Sequence, residues 1–437
     1  MIASSPAPAS QPTLRRVVSR WELVALSLND VIGSGVYLLP AAAAALLGPA
    51  SLWAVLLAGL AVLFIVLCFA EAASHFDRPG SGYLYTRAAF GDFVGFEVGW
   101  MTVLARVTSV AALSNGFAQA LAFLWPVAAA GAPRAMVISA LVLGFVWINV
   151  LGVKYGARVA VALSIAKILP LVFLAAVGIF AIDPSRLVLS GSPTPQALGE
   201  AALLLLFAYA GFENTAAAAG EFRNPQRDVP FALIAMITIV TVLYTLIQLV
   251  ALGTVPGLAS HVGGAPLAVA ATLVAGAWAA HVMTLGAVVS MGGNLGSTLF
   301  AAPRYLYALA ADGFGPRVLG SVHPRFRTPA VAVVVLGVVA LALALSGSFV
   351  QLALLSTVAR LATYVGTAAA VPVLRRKLPR TAHTIVLPGG PAIPIGALLL
   401  CLVFLASTTS RNLVAGAVAL LVGALFYLFR RRVPERT

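Results

Sequence analysis

The sequence predicts an all-α polytopic membrane protein, and three observations carry that prediction. Hydrophobic residues make up 61% of the 437 positions and charged residues only 9%, whereas a soluble domain carries about 25% charge. Mean hydropathy is +1.02. Apolar runs of about eighteen residues or more follow one another along the chain, and each run of that length is a candidate span.

Twelve spans fit the chain, expected near 22–47, 51–74, 94–124, 135–151, 159–181, 199–220, 230–255, 268–302, 329–346, 349–371, 392–408 and 412–429. An Ala/Ser/Pro-rich arm over 1–20 precedes them and is expected to be disordered. A single transmembrane domain then runs over 21–429, followed by a basic tail at 430–437. Arg15-Arg16 precedes the first run, but that run is too long for a signal-peptide core and no small-residue cleavage site follows it cleanly. The first span, Trp21 to Leu47, carries Asp30-Val31-Ile32-Gly33-Ser34-Gly35-Val36-Tyr37 at its centre. Glycine costs a helix about 1 kcal/mol, and a charge at bilayer depth costs a few kcal/mol or more. Unwound backbone at that depth is tolerated only where protein buries it or it lines a cavity. Span two holds Cys68 and span eleven Cys401, both expected to be buried thiols rather than a disulfide. Span three contains Arg106 and span ten Arg360; neither can shed its proton, so each needs a partner or an aqueous path.

Span five contains Lys167 within Ser164-Ile165-Ala166-Lys167-Ile168-Leu169-Pro170. Span six repeats the anomaly of span one, with Phe207-Ala208-Tyr209-Ala210-Gly211-Phe212-Glu213-Asn214 at mid-membrane. Two interrupted spans lie five apart. Five is odd, so the second unit must be inverted relative to the first, and paired broken helices of this kind point to a central binding site. Repeat one is expected over 21–181 and repeat two over 199–371, with two extra helices over 392–429. Glu221 to Pro230 is expected to cap the connection from span six to span seven, where Pro225 and Pro230 stop helices.

Net charge is +14, and its placement matters more than its size. With the N-terminus inside, 21 Lys and Arg residues fall on inner segments, three on outer loops (Arg134, Arg186, Arg411), and three within spans. That bias places both termini on the cytoplasmic side. The expected location is a bacterial cytoplasmic (inner) membrane. The basic balance reports topology and not a nucleic-acid partner.

These residues resemble the amino acid–polyamine–organocation permeases. Ile32-Gly33-Ser34-Gly35-Val36-Tyr37-Leu38-Leu39-Pro40 is the first match. Phe207 to Glu213, continuing through Glu221-Phe222-Arg223-Asn224-Pro225-Gln226-Arg227-Asp228-Val229-Pro230, is the second and the most specific. Arg304 to Gly313 after span eight is the third, and Gly152-Val153-Lys154-Tyr155-Gly156 with Lys167 the fourth. The resemblance covers the chain from about Trp21 to Phe429. It implies a LeuT-type fold, transport of amino acids or amines, and proton coupling.

The chemistry of such a site follows from its ligand. A zwitterion needs donors for its carboxylate and acceptors for its ammonium, and unwound helix frees both. The N-terminal end of the half-helix after Gly33 suits a carboxylate, through N–H groups of Ser34, Gly35 and Val36. The missing Cβ atoms of Gly33 and Gly35 are expected to let a ligand reach the backbone; close helix packing is the alternative use of the same glycines. Carbonyls near Val31, Ile32, Phe207, Ala208 and Ala210 would accept from the ammonium. The resemblance implies that Phe207 occupies the position of an aromatic gate. It also implies that Lys167 stands where sodium-coupled relatives bind the ion, facing span one near Ile32, Ser297 and Thr298. Lys167 would carry the coupling proton. Asp30, where many relatives have a small residue, would pair with Lys167, relay a proton or select a cationic substrate. Glu213 either titrates or braces span six. If Arg106 faces the pocket, it disfavours arginine and polyamines as substrates. Asn115, Asn149, Asn294, Gln248 and Met291 are further pocket or packing candidates.

No histidine among the five is spaced with Cys or carboxylate as a metal ligand, and no phosphate-binding Gly-Lys-Ser/Thr motif occurs. No enzyme, cofactor or ATP drive is expected. The reading is a secondary transporter of L-amino acids, working by proton symport through alternating access, with sodium the less favoured coupling ion. An amino acid/amine antiporter is the alternative, and a sensor or channel on the same fold a more distant one. Its partners are an amino acid, protons and the lipid bilayer. The sequence leaves the oligomeric state open.

Overall fold

The computed structural model describes residues 20–76, 81–152, 157–189, 191–214, 225–379, 384–387 and 389–428. The arm at 1–19, the Val153–Gly156 part of the fourth motif, residues 215–220 of span six with Glu221–Asn224, and the tail at 430–437 lie outside the described residues.

Among the described residues the chain is all-helical. Helices α1 (Arg20–Val31) and α2 (Gly35–Leu47) are two halves of the first apolar run. Then come α3 (Ser51–Ser74), α4 (Ser81–Phe90), α5 (Asp92–Ala122), α6 (Gly131–Leu151) and α7 (Ala157–Gly178). Helix α8 (Pro195–Leu206) runs into one 3-10 turn, Phe207–Tyr209, and stops. It is followed by α9 (Pro225–Thr254), α10 (Pro266–Ala275), α11 (Ala277–Ala311), α12 (Ala330–Ser346), α13 (Phe349–Lys377), α14 (Ala392–Ser407) and α15 (Ser410–Leu428).

Among the described residues seven segments are long and apolar enough to cross a membrane, and five shorter apolar helices of 10–17 residues accompany them. The expected span 268–302 is not one helix. Gly276 takes φ +86° between α10 and α11, a left-handed conformation that only glycine adopts at no cost. The chain turns there although the run reads as continuous hydrophobe. Many large apolar side chains point outward, among them Trp147, Leu399, Val414, Leu421 and Leu428. An apolar exterior of that extent fits lipid and not water.

Inside the bundle α5 packs along both α13 and α11, and α9 packs along α3 and α1. The apolar core has an aromatic cluster. Phe69 meets Phe212 and Tyr364 edge-on at 5.5 and 6.0 Å, and Phe212 stacks on Tyr364 at 5.4 Å. A bidentate pair ties α13 to α3. Arg375 donates to both carboxylate oxygens of Glu71 at 2.5 and 2.8 Å, and the Leu387 N–H donates to the same carboxylate at 3.1 Å. A carboxylate this buried persists because its lone pairs are filled. Cys68 and Cys401 are both free and buried, as their apolar surroundings predict.

Candidate functional site

The two broken helices meet. Gly211 takes φ +129°, and a Cβ there would fall 2.3 Å from the Asp30 carbonyl oxygen. A Cβ on Gly35 would fall 2.4 Å from both Cα and Cβ of Ala208. One on Gly33 would fall 2.5 Å from the Asn294 side-chain nitrogen. The glycines therefore let one backbone lie directly on another. This corrects the expectation that the space left at Gly33 and Gly35 serves a ligand: Ala208 and Asn294 occupy it.

The unwound segment leaves hydrogen-bonding groups free. Among the described residues no backbone carbonyl takes the N–H of Gly33, Ser34, Gly35 or Val36. The Ser34 hydroxyl is buried and without a partner. On the acceptor side the expected carbonyls divide. Ile32 O accepts from the Ser290 hydroxyl at 3.2 Å, Ala208 O from the Tyr244 hydroxyl at 2.9 Å, and Phe207 O from the Ala210 N–H at 3.3 Å. Those three are committed to the scaffold. Val31 O and Ala210 O accept from no described residue.

A small cavity of about 30 Å³ lies against these free groups. Of the residues expected at the site, Asp30, Val31, Gly33, Ser34, Gly35, Phe207 and Ala210 line it. Ile32, Val36 and Ala208 do not, because each is buried in packing behind the break. Phe207 is buried and meets Phe349 edge-on at 6.0 Å. Helix α5 adds Arg106, Ser109 and Leu113; α11 adds Asn294 and Thr298; α13 adds Arg360. Ser109 and Leu113 escape a sequence reading, since a serine and a leucine in an apolar run carry no signal of their own.

The charged groups form two connected sets. Arg360 donates to Glu213 at 2.7 Å, and the Tyr364 hydroxyl donates to the same oxygen at 2.7 Å. The other Glu213 oxygen accepts from the Gly211 N–H at 2.8 Å. A second Arg360 nitrogen donates to Ser109 Oγ at 2.9 Å, in a chain that passes through Ser356 to Ala105 O. With both oxygens filled, Glu213 has the contacts of the bracing role, holding the second break to α13. Glu213→Gln would leave Arg360 buried without its counter-charge, at a cost of about 3 kcal/mol. Its thermal midpoint in detergent should drop by several degrees; a wild-type midpoint would show that the brace contributes nothing.

The second set surrounds the end of α1. The Asp30 carboxylate lies near the Asn214 side chain, and Asn214 Oδ1 accepts from Arg106 at 2.7 Å. The Lys167 ammonium is 2% exposed and donates to the Asn29 carbonyl. That position is the negative end of the half-helix α1, where a cation is favoured. The Tyr37 hydroxyl donates to Lys167 O at 2.5 Å, so Lys167 touches both halves of the first span. Asp30 acts on Lys167 electrostatically, but the two form no direct ion pair among the described residues. Nor does Lys167 bond to Ile32, Ser297 or Thr298: Ser297 turns back onto Gly293 O at 3.1 Å.

Two broken helices touching around a cavity of backbone amides and carbonyls, in an apolar bundle, describe a carrier. A profile of the amino acid permeases matches residues 18–429. The chain belongs to the amino acid permease family. This permease is similar to the branched-chain amino acid permease of Bacillus subtilis, 30% identical over 98% of this chain and 95% of that one. It is similar to the methylthioribose transporter of the same organism, 29% identical over 98% and 95% of the two chains. It is also similar to the B. subtilis serine/threonine exchanger, 28% identical over 94% and 95%. The permease is thus an integral membrane transporter and not an enzyme. No cluster of metal-ligating side chains occurs among its described residues.

Proposed function

We propose that this permease is a secondary transporter of L-amino acids that couples uptake to protons by alternating access. The observation that carries the reading is the contact between the two breaks, around a cavity lined by Gly33, Ser34 and Gly35, whose N–H groups no described backbone carbonyl takes, and by Val31 and Ala210, whose carbonyls accept from no described residue. Those are the two demands of a zwitterion, and both kinds of group belong to residues that line one small cavity. The half-helix N-terminus takes the carboxylate; the two carbonyls take the ammonium.

In this proposal the chain is a single transporter domain over 21–429, with twelve spans in a 5+5 inverted arrangement and two further helices. Breaks in the first and sixth spans support that arrangement, since they are the corresponding members of two five-span units. Both termini lie on the cytoplasmic side of the inner membrane, as the distribution of Lys and Arg supports. Lys167 is the proton-carrying group, and Asp30 completes its surroundings. A fixed ammonium at Asn29 O disfavours sodium there, and no ATP is used. The aromatic pair Phe207–Phe349 closes over the cavity as its gate.

The similarity to a serine/threonine exchanger favours a second reading, obligatory exchange of one amino acid for another. Uptake by the purified permease in liposomes separates the two. An inward proton gradient alone should drive accumulation of labelled amino acid above equilibrium. Uptake that requires an amino acid preloaded inside would overturn symport in favour of exchange.

A further inference from the structure

We propose that the site takes an α-amino acid whose side chain ends in a carboxylate, with Arg106 as the residue that selects it. The inference rests on the amino acid reading and narrows it to a substrate class. The backbone groups of the two breaks account for the α-carboxylate and the α-ammonium. What they leave for the substrate's side chain is the opposite wall, supplied by α5, α11 and α13.

On that wall the two guanidinium groups carry more donors than the Ser109 and Thr298 hydroxyls and the Asn294 amide oxygen can accept. The Ser109 hydroxyl is engaged with Arg360 and Ser356, and the Asn294 amide donates to Asp30 O at 3.3 Å. The unpartnered buried atoms on the wall are both donors, Nε of Arg106 and Nε of Arg360. A buried N–H without an acceptor costs about 1–3 kcal/mol, and more when charged. A ligand that brings acceptors removes that cost.

Charge points the same way. The described ionisable groups around the cavity are Asp30 and Glu213 against Arg106, Arg360 and Lys167. Arg360 is matched by Glu213, and Lys167 is opposed by Asp30. Three cations stand against two carboxylates, and Arg106 is the cavity-lining cation with no direct carboxylate partner among the described residues. It is 3% exposed, holds one amide oxygen, and lies over the Tyr305 ring at 4.8 Å. It also lines the second cavity, between α4, α5 and α13. A zwitterion with a neutral side chain leaves this surplus unchanged, and a cationic side chain adds to it. An anionic one cancels it and supplies the missing acceptors at once. The side-chain wall is therefore the reverse of one built for arginine or polyamines.

The test uses the purified wild-type permease with isosteric pairs. L-Glutamate and L-glutamine, then L-aspartate and L-asparagine, are compared by thermal shift and by uptake into liposomes, with L-leucine and L-arginine alongside. The acidic member of each pair should bind about tenfold more tightly or better, and L-arginine should not compete. Arg106→Gln should reverse the glutamate-to-glutamine preference, a change of ratio that a merely destabilised variant would not show. Equal or better binding of the amides by the wild-type protein overturns the proposal, whatever the variant does. Selective binding of leucine with no response to glutamate or aspartate overturns it while leaving amino acid transport intact. No response to any amino acid overturns both.

Discussion

Replacing Lys167 with alanine is expected to abolish proton-driven accumulation while leaving exchange of amino acid across the membrane measurable. Lys167 is linked to both halves of the first span, through its ammonium on Asn29 O and through its own carbonyl on the Tyr37 hydroxyl. The alanine variant keeps the second link, because it is made by the backbone. It loses the first, and with it the charge that Lys167 adds to that of Arg106 against Asp30 at the end of α1. The end of α1 then no longer responds to a proton arriving or leaving, so the gradient has nothing to act on. Binding at the free amides of Gly33–Val36 does not involve the ammonium and should persist. Gradient-driven uptake should drop about tenfold or more, the equivalent of an interaction of about 1.4 kcal/mol, while counterflow of labelled against unlabelled amino acid continues. Accumulation at the wild-type level in this variant would remove Lys167 from the coupling mechanism.

Gly35→Ala should be nearly as damaging, although it adds one methyl group. The new Cβ would sit 2.4 Å from Ala208 Cα and Cβ. The obstruction includes backbone, and backbone cannot swing aside as a long side chain can. The two breaks must separate, which moves the free amides of α2 away from Ala210. Loss of substrate binding by about tenfold or more is expected, since a misplacement of about 1 Å can cost a hundredfold at such a site. A matched control lies in α6: Gly144 has nothing within 4 Å of its Cβ position. Gly144→Ala should leave binding unchanged and stabilise the helix by about 1 kcal/mol. Equal affinities in the two variants would refute the paired-break geometry.

Much of this arrangement was readable from residue types alone. Two glycines and an aspartate in one apolar run, and a glycine, a glutamate and an asparagine in another, are costly, and the cost marks both breaks without any structure. Lysine and arginine within spans are costly too, so Lys167, Arg106 and Arg360 stand out at once. What the sequence does not contain is the rotation of each helix about its axis. Whether Arg360 meets Glu213 or Asp30, and whether Arg106 meets Asn214, depends on that rotation. So does the neighbour that fills the missing Cβ of Gly35. Gly276 is a different failure: it lies in a run whose hydrophobicity alone indicates one helix, and the turn follows from a backbone angle that no composition reports. Ser109 and Leu113 become visible only once α5 is placed against the cavity.

Under the proposed alternating access, the contact of Gly35 with Ala208 and of Gly211 with Asp30 O would act as a bearing, on which one half of the carrier turns against the other. A bearing made of bare backbone cannot be refitted by exchanging one side chain for another, so positions 35, 208 and 211 offer an engineer almost no choice. The wall carrying Arg106, Ser109 and Leu113 belongs to a different helix and reaches the bearing through side chains, by way of the Asn214 amide and the Arg360–Glu213 pair, and not through its own backbone. Cargo preference and the turning motion are therefore separable in this molecule. A library confined to α5 should alter what is carried while leaving intact the machinery that carries it.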